Sequence, residues 1–517
     1  MNTQIQSIED RVGQMLMAGF HGLTAPEYFL EWLRAGRLGS VILFARNVES
    51  PAQLAELTAQ LHEAAKYPLL IAIDQEGGTV ARLREGFTES PGAMALSSIG
   101  DNAEAVTEAV SGILGREMHA LGINWTFAPS VDVSYNADNP TVGTRSFGSD
   151  HRRVAALAAA AVRGFQANGV AACAKHFPGL GATAIDTHLA LPRLDTGVEQ
   201  LMAVDLLPYH QAIAAGLATV MTTHTIFTTL DEEHPATLSD KIIGPLLRDE
   251  LGFEGVVTTD CMEMKAIDDH YHVSGSVVRA AKAGVDVIIF SHTADKQSTA
   301  YDHLLEAVRR GDVSEAQVDA ANARVAALKA RFPAKQTDIT QVYTPEHRAT
   351  VLSAAQAALT SLRTESDVLP ISADDSRRVV LVEFASGVDS IVQEEKTKTS
   401  LGAFISARLP KVETITLPTT PGEAEIGAAH ARIGQADVVI LATRNAHLNT
   451  AQTSAVRALS DTSAKVVLLA LRNPYDASLI NDGTVISTAG DSLPSLEAVV
   501  TALTGEVTPA GRLPVQV

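Results

Sequence analysis

The sequence predicts an α/β protein: a (β/α)8 TIM-type barrel followed by a smaller doubly wound α/β domain. Three observations carry this. Short apolar runs recur eight times in the first 290 residues, segments of helical period separate them, and the pattern lapses near residue 332 and restarts near 345. Strands covered on both faces are apolar throughout instead of alternating, and eight strand–helix beats match a barrel enlarged by insertions.

The eight runs are 15–20 (MLMAGF), 40–45 (SVILFA), 69–74 (LLIAID), 124–129 (NWTFAP), 172–177 (ACAKHF), 218–224 (ATVMTTH), 255–260 (GVVTTD) and 285–290 (VDVIIF). Segments rich in Ala, Leu and Glu at 51–66, 101–121, 149–168, 197–216 and 240–251 read as the intervening helices. Ser50 before Pro51 is a helix start, and Asp240 is a candidate cap for the helix leading to Leu251-Gly252. The stretches Asp74–Asn124 and Phe177–Ala218 exceed what one helix needs, and surplus after a strand end is where a barrel keeps its working loops. Residues 312–331 read as the last barrel helix, which divides the chain into a catalytic barrel (1–331), a linker (332–344) and a C-terminal domain (345–517). In the last of these a helix at 345–363 leads to apolar runs at 379–384, 437–443, 465–471 and 485–489. No GxxxxGK[ST] and no GxGxxG follows a strand there, so it reads as a structural or lid unit and not as a nucleotide site.

Composition narrows the class. The 517 residues are 46% hydrophobic and 19% charged, ordinary for a globular chain, with a formal charge of −20 that disfavours unaided nucleic-acid binding. The two cysteines, Cys173 and Cys261, form no ligand cluster or disulfide framework. No secretory leader and no membrane-length apolar run is visible, so a cytoplasmic protein without a membrane partner is the expectation, as a monomer or small homo-oligomer.

Ionisable residues stand at the C-terminal ends of successive strands, where barrel side chains enter the working site: Asp74 on the third, Lys175 and His176 on the fifth, His224 on the sixth and Asp260 on the seventh. Charged groups are rarely buried unless paired or functional, so their convergence is the signal. An aspartate at such a rim serves as nucleophile, metal ligand or partner of a cation; no HxH or HExxH pattern supports a metal, and no cofactor is implied. After strand five, Asp186 and His188 lie two apart, spaced for a carboxylate to orient an imidazole as a general acid/base. Gly179, Gly181, Ala182 and Ala184 in that loop suggest a movable segment. Glu76 and Glu117 are further carboxylates, Glu117 reading as a solvated or paired surface group on a helix.

The segments IDQEGGTVARL (73–83), RSFG (145–148), KHFPG followed by DTH, MTTHTIFTTLD (221–231) and ELGFEGVVTTDCMEMKAI (250–267) resemble glycoside hydrolase family 3, in its β-N-acetylglucosaminidase branch. LRNPYD (471–476) and PAGRLPV (509–515) resemble that family's C-terminal domain. Thr79 stands where the branch commonly has Arg, Leu180 and Ala182 replace His and Asp, and Thr187 replaces Ser.

The resemblance implies a retaining exo-β-N-acetylglucosaminidase that releases terminal GlcNAc from chitin or peptidoglycan fragments, as in peptidoglycan recycling. Asp260 would be the nucleophile and His188 the acid/base, held by Asp186. Asp74, Arg145, Lys175 and His176 would bind sugar hydroxyls, with Arg82 and His224 in support. The alternative within the branch is a phosphorylase that resolves the intermediate with inorganic phosphate. A Schiff-base aldolase using Lys175 and a silent sugar-binding protein are further readings.

Overall fold

The computed structural model describes residues 7–183, 186, 188–334, 338–385 and 400–517. Each of the eight apolar runs contributes a strand: β1 (Leu16–Ala18), β2 (Ser40–Leu43), β3 (Leu70–Ile73), β4 (Trp125–Thr126), β5 (Cys173–Phe177), β6 (Thr219–Thr222), β7 (Val256–Cys261) and β8 (Val287–Phe290). They pair in parallel in the order β4-β3-β2-β1-β8-β7-β6-β5. Parallel bridges at Trp125–Ala171 and Ser130–Lys175 join β4 to β5 and complete the ring.

The runs are apolar throughout because both faces are covered. Leu70 and Ala72 of β3 and Val287 and Ile289 of β8 meet Met17 and Trp125 inside the barrel. Their neighbours Ile71, Ile73, Ile288 and Phe290 pack outward with the surrounding helices. The helix Glu315–Arg331 closes the N-terminal end, sending Val325 and Leu328 into the interior cluster, followed by Phe332. Polar strand-end residues are thereby left to the opposite, C-terminal mouth.

Local signals are met with one exception. The Ser50 hydroxyl accepts the Gln53 amide at 3.2 Å and caps the helix Pro51–Ala64. Asp240, expected as a cap, is the first helical residue instead; Ser239 holds the cap position while its hydroxyl donates to Asp231. The next turns, Ile243–Glu250, form a π-helix around Pro245, which lacks the N–H of a regular turn.

The second sheet comprises β9 (Thr360–Arg363), β10 (Val379–Phe384), β11 (Glu413–Leu417), β12 (Val438–Thr443), β13 (Lys465–Ala470) and β14 (Thr484–Ser487). Its order is β9-β14-β13-β12-β10-β11, parallel except for β9. The helix expected over 345–363 stops at Ala358, and residues 360–363 form the antiparallel edge. β11 was not anticipated. It is the other edge strand, with the half-polar sequence ETITL in place of a continuous apolar run.

The chain passes from the helix ending at Arg331 to the helix Pro345–Ala358, and residues 335–337 of the expected linker lie outside the described residues. Met94 and Ala95 of the barrel share an apolar cluster with Ala358, Ala489 and Val515. The Arg512 amide donates to the Ser98 carbonyl at 2.8 Å. Glu117 is not a surface group: it is buried and bonded to His347 of the following helix. Among the described residues no helix is long and apolar enough to cross a membrane.

Candidate active site

At the C-terminal mouth lies a cavity of about 280 Å³. Seven of the nine residues singled out in the sequence line it: Asp74, Arg82, Arg145, Lys175, His176, His188 and Asp260. Asp186 and His224 stand behind it, each bonded to a lining residue.

Its floor is an ionic chain. The Lys175 ammonium donates to Asp74 at 2.8 Å and to Glu76 at 2.7 Å. Glu76 accepts both Nε and Nη2 of Arg145, at 2.9 and 2.7 Å, while Arg82 reaches Asp74 at 3.2 Å. Arg145 Nη2 also lies 3.3 Å from His176 Nε2, and His176 Nδ1 lies 2.8 Å from Asp132. A guanidinium only donates, so the imidazole proton belongs on Nδ1, facing the carboxylate. Three carboxylates and three cations balance within this chain, the arrangement that buried ions require.

Burial pushes the carboxyls of Asp74 and Glu76 up, but Lys175 with Arg82 outweighs it at the first, and Arg145 with Lys175 at the second. Both stay below the ordinary carboxylate range. Burial likewise pulls the Lys175 ammonium down, and Asp74 and Glu76 more than restore it. Lys175 is therefore held charged, without the free lone pair a Schiff base needs.

The remaining lining candidates, Asp260 and His188, sit on the end of β7 and on the loop after β5. Asp260, near the end of β7, accepts the Cys261 amide on Oδ1 at 2.7 Å, and Oδ2 has no protein partner among the described residues. His224 donates from Nε2 to the Cys261 carbonyl at 2.9 Å, so it positions the backbone beside Asp260. Burial pulls its imidazole below the usual value, consistent with a neutral donor. His188 turns Nδ1 to Asp186 at 2.7 Å, and the same carboxylate oxygen accepts the His188 amide at 2.9 Å. Nε2 is the nitrogen left for chemistry.

The glycines before this dyad have a visible packing role. A Cβ on Gly181 would lie 1.9 Å from the Val133 carbonyl oxygen, and one on Gly179 would press on Asp205. The Leu180 amide donates to Asp132 at 2.7 Å. Ala184 and Thr187 lie outside the described residues.

Two contributors escaped sequence reasoning, and a third was named there without a role. Asp132 orients His176 and His292 lines the cavity, while Glu76, noted only as a further carboxylate, joins Arg145 to Lys175. Each lies within a few residues of a strand's C-terminal end, so the positional rule that found Asp74 would have found them.

This chain matches the glycosyl hydrolase family 3 N terminal domain over residues 7–328. It belongs to that family. A β-hexosaminidase A of Pseudoalteromonas piscicida is 33% identical over 449 residues, covering 81% of this chain and 73% of the relative. A β-N-acetylglucosaminidase/β-glucosidase of Cellulomonas fimi is 30% identical over 523 residues, 95% of this chain and 90% of its own. A solved family 3 β-N-acetylglucosaminidase from Paenibacillus sp. str. FPU-7 superposes with a TM-score of 0.92 at 37% identity, over 99% of each chain. As a family 3 member, the protein is a glycoside hydrolase with a barrel followed by an α/β domain.

Proposed function

We propose that the protein is a retaining exo-β-N-acetylglucosaminidase, removing β-linked GlcNAc from the ends of chitin or peptidoglycan fragments. One observation carries the reading: Asp260 and His188, the latter engaged through Nδ1 by Asp186, line the same small cavity. At about 280 Å³ the cavity is at the lower end for ligand pockets and suits one terminal sugar. The names of the similar proteins support the choice of sugar.

In the first step an Asp260 carboxylate oxygen attacks the anomeric carbon. The glycosidic C–O bond breaks, and the leaving oxygen takes the proton from protonated His188 Nε2. In the second step Nε2, now neutral, removes a proton from water. The water oxygen bonds to the anomeric carbon and the ester to Asp260 breaks, restoring the carboxylate and the original anomeric configuration. Lys175, Arg145, Arg82, His176 and Asp74 hold the sugar hydroxyls in a preorganised ionic frame, so little reorganisation accompanies the oxocarbenium-like transition state.

The general device is a pair of carboxyl groups about 5–5.5 Å apart. Here an imidazole replaces the acid, so an incoming phosphate meets one fewer carboxylate; this supports the phosphorylase alternative as the second outcome of the test. The enzyme is incubated with a 5-fluoro GlcNAc-type trap and digested for mass spectrometry, and turnover is followed with and without phosphate. An adduct on the Asp260 peptide with release of free GlcNAc is expected. A sugar 1-phosphate accumulating in phosphate buffer selects phosphorolysis, and an adduct on another residue overturns the assignment of Asp260.

A further inference from the structure

At the end of the barrel remote from Asp260 lies a second cavity, of about 570 Å³. Its lining places it there: Gln14 precedes β1, Leu69 precedes β3 and Asn124 precedes β4, while Val325, Ala326 and Lys329 come from the closing helix. Most of this wall is apolar. Two of its polar residues, Lys329 and Gln14, are short of acceptors among the described residues.

Lys329 is more than nine-tenths buried and its ammonium nitrogen has a single partner among the described residues, Gln14 Oε1 at 2.5 Å. No carboxylate pairs with it there. Gln14 is 1% exposed, and its Nε2 is buried without an acceptor among the described residues. Among the described residues two adjacent buried donors therefore lack an acceptor, an arrangement that costs stability unless a partner is supplied. Elsewhere this chain pairs its buried cations: Lys175, Arg145 and Arg82 all meet carboxylates.

We propose that this cavity is a binding site for a small organic carboxylate with an apolar body, its carboxylate received by Lys329 Nζ and Gln14 Nε2. A carboxylate supplies both the missing acceptors and the missing charge, and its apolar part would lie against Leu69, Val325 and Ala326. The other titratable groups lining the cavity do not compete. Lys66 donates to Asp10 at 2.7 Å, Tyr67 donates to the same carboxylate at 3.0 Å, and His62 Nε2 bonds the Gly122 carbonyl at 2.9 Å.

The site has a protonation signature. Burial pulls the free Lys329 amine down to about 7. A bound carboxylate favours the charged form, so binding above that pH takes up a proton. Affinity should fall about tenfold per pH unit above about pH 7.

Benzoate is the probe and benzamide its neutral counterpart, titrated calorimetrically into the full chain at pH 6.5 and 8.5 in buffers of different ionisation enthalpy. Saturable benzoate binding, at least about tenfold weaker benzamide binding and proton uptake at pH 8.5 are expected. Lys329→Met should abolish binding. Gln14→Glu places a carboxylate against the amine within the chain and should abolish it too, while preserving a polar partner for the fold. Absence of benzoate binding to the wild type, equal affinity for benzamide, or retention of affinity in both variants overturns the proposal.

Discussion

Glu76 receives both Nε and Nη2 of Arg145 and also the Lys175 ammonium, so one buried carboxylate joins the loop after β4 to the end of β5. Glu76→Gln keeps the shape but removes one of the three negative charges that balance the cavity floor. An unpaired buried cation follows, costing about 3–5 kcal/mol. The midpoint of urea unfolding should drop accordingly, and KM should rise because Arg145 and Lys175 lose their common anchor. A variant as stable as the parent would show that the network is not balanced as described.

His188→Ala should lower turnover of substrates with poor leaving groups by about 10²–10⁴. Glycosides of acidic phenols should lose far less in the first step, because their leaving oxygen needs no proton. Asp186→Asn should follow the same pattern more weakly, since Nδ1 loses its carboxylate but the ring remains. Losses equal for all leaving groups would move His188 out of the acid role.

The parts legible in the sequence are those governed by a local rule. Asp74, Lys175, His176 and Asp260 were found because strand ends face the cavity, and β1 to β8 because two-sided burial makes a run apolar. The pairing of Asp186 with His188 needs only two residues of chain. Contacts between distant segments left no such mark. Glu117 sits on a helical pattern like any solvated acid, yet it meets a histidine 230 positions away. β11 escaped for the opposite reason: at a sheet edge half its side chains face outward, so no apolar run forms.

Glu117 gives a test of how the two parts of the chain depend on each other. Its Oε1 accepts from His347 at 2.7 Å and from the Tyr343 amide at 2.9 Å, while Thr88 donates to the same carboxylate. Glu117→Ala strands these donors in a buried place and should cost about 3–5 kcal/mol. Unfolding followed by tryptophan fluorescence, with Trp32 and Trp125 both in the barrel, should separate from unfolding followed by circular dichroism. Coincident, unshifted transitions would deny the contact any role in joining the parts.

Gly143 ties the second part of the chain to the loop that carries Arg145. It has a φ of +41° two residues before Arg145, and a Cβ there would meet Asn473 Oδ1 at 2.8 Å. Gly143→Ala adds about 1–2 kcal/mol of backbone strain and pushes the Arg145 loop off the following domain. KM should rise on the order of tenfold with kcat changed less. An effect confined to kcat would place the contact in the chemical step.

Asp205 supplies the pH dependence. It is buried beside Gly179 and accepts the Tyr135 hydroxyl on Oδ1 at 3.1 Å, while Oδ2 has no partner among the described residues. Burial pushes its carboxyl up to about 7 from an ordinary 3.8. Between those values the folded protein holds a proton that the unfolded chain has released, so stability falls as pH rises through the interval and the loss is complete above about pH 7. Asp205→Asn still accepts from Tyr135 but never ionises, so it escapes that loss. The variant should match the parent near pH 4 and exceed it at pH 8 by at most about 4 kcal/mol. Chemical denaturation of both proteins at the two pH values measures the difference. A gap that stays constant, or widens toward acid, would mean that Asp205 is ionised in the fold across the whole range.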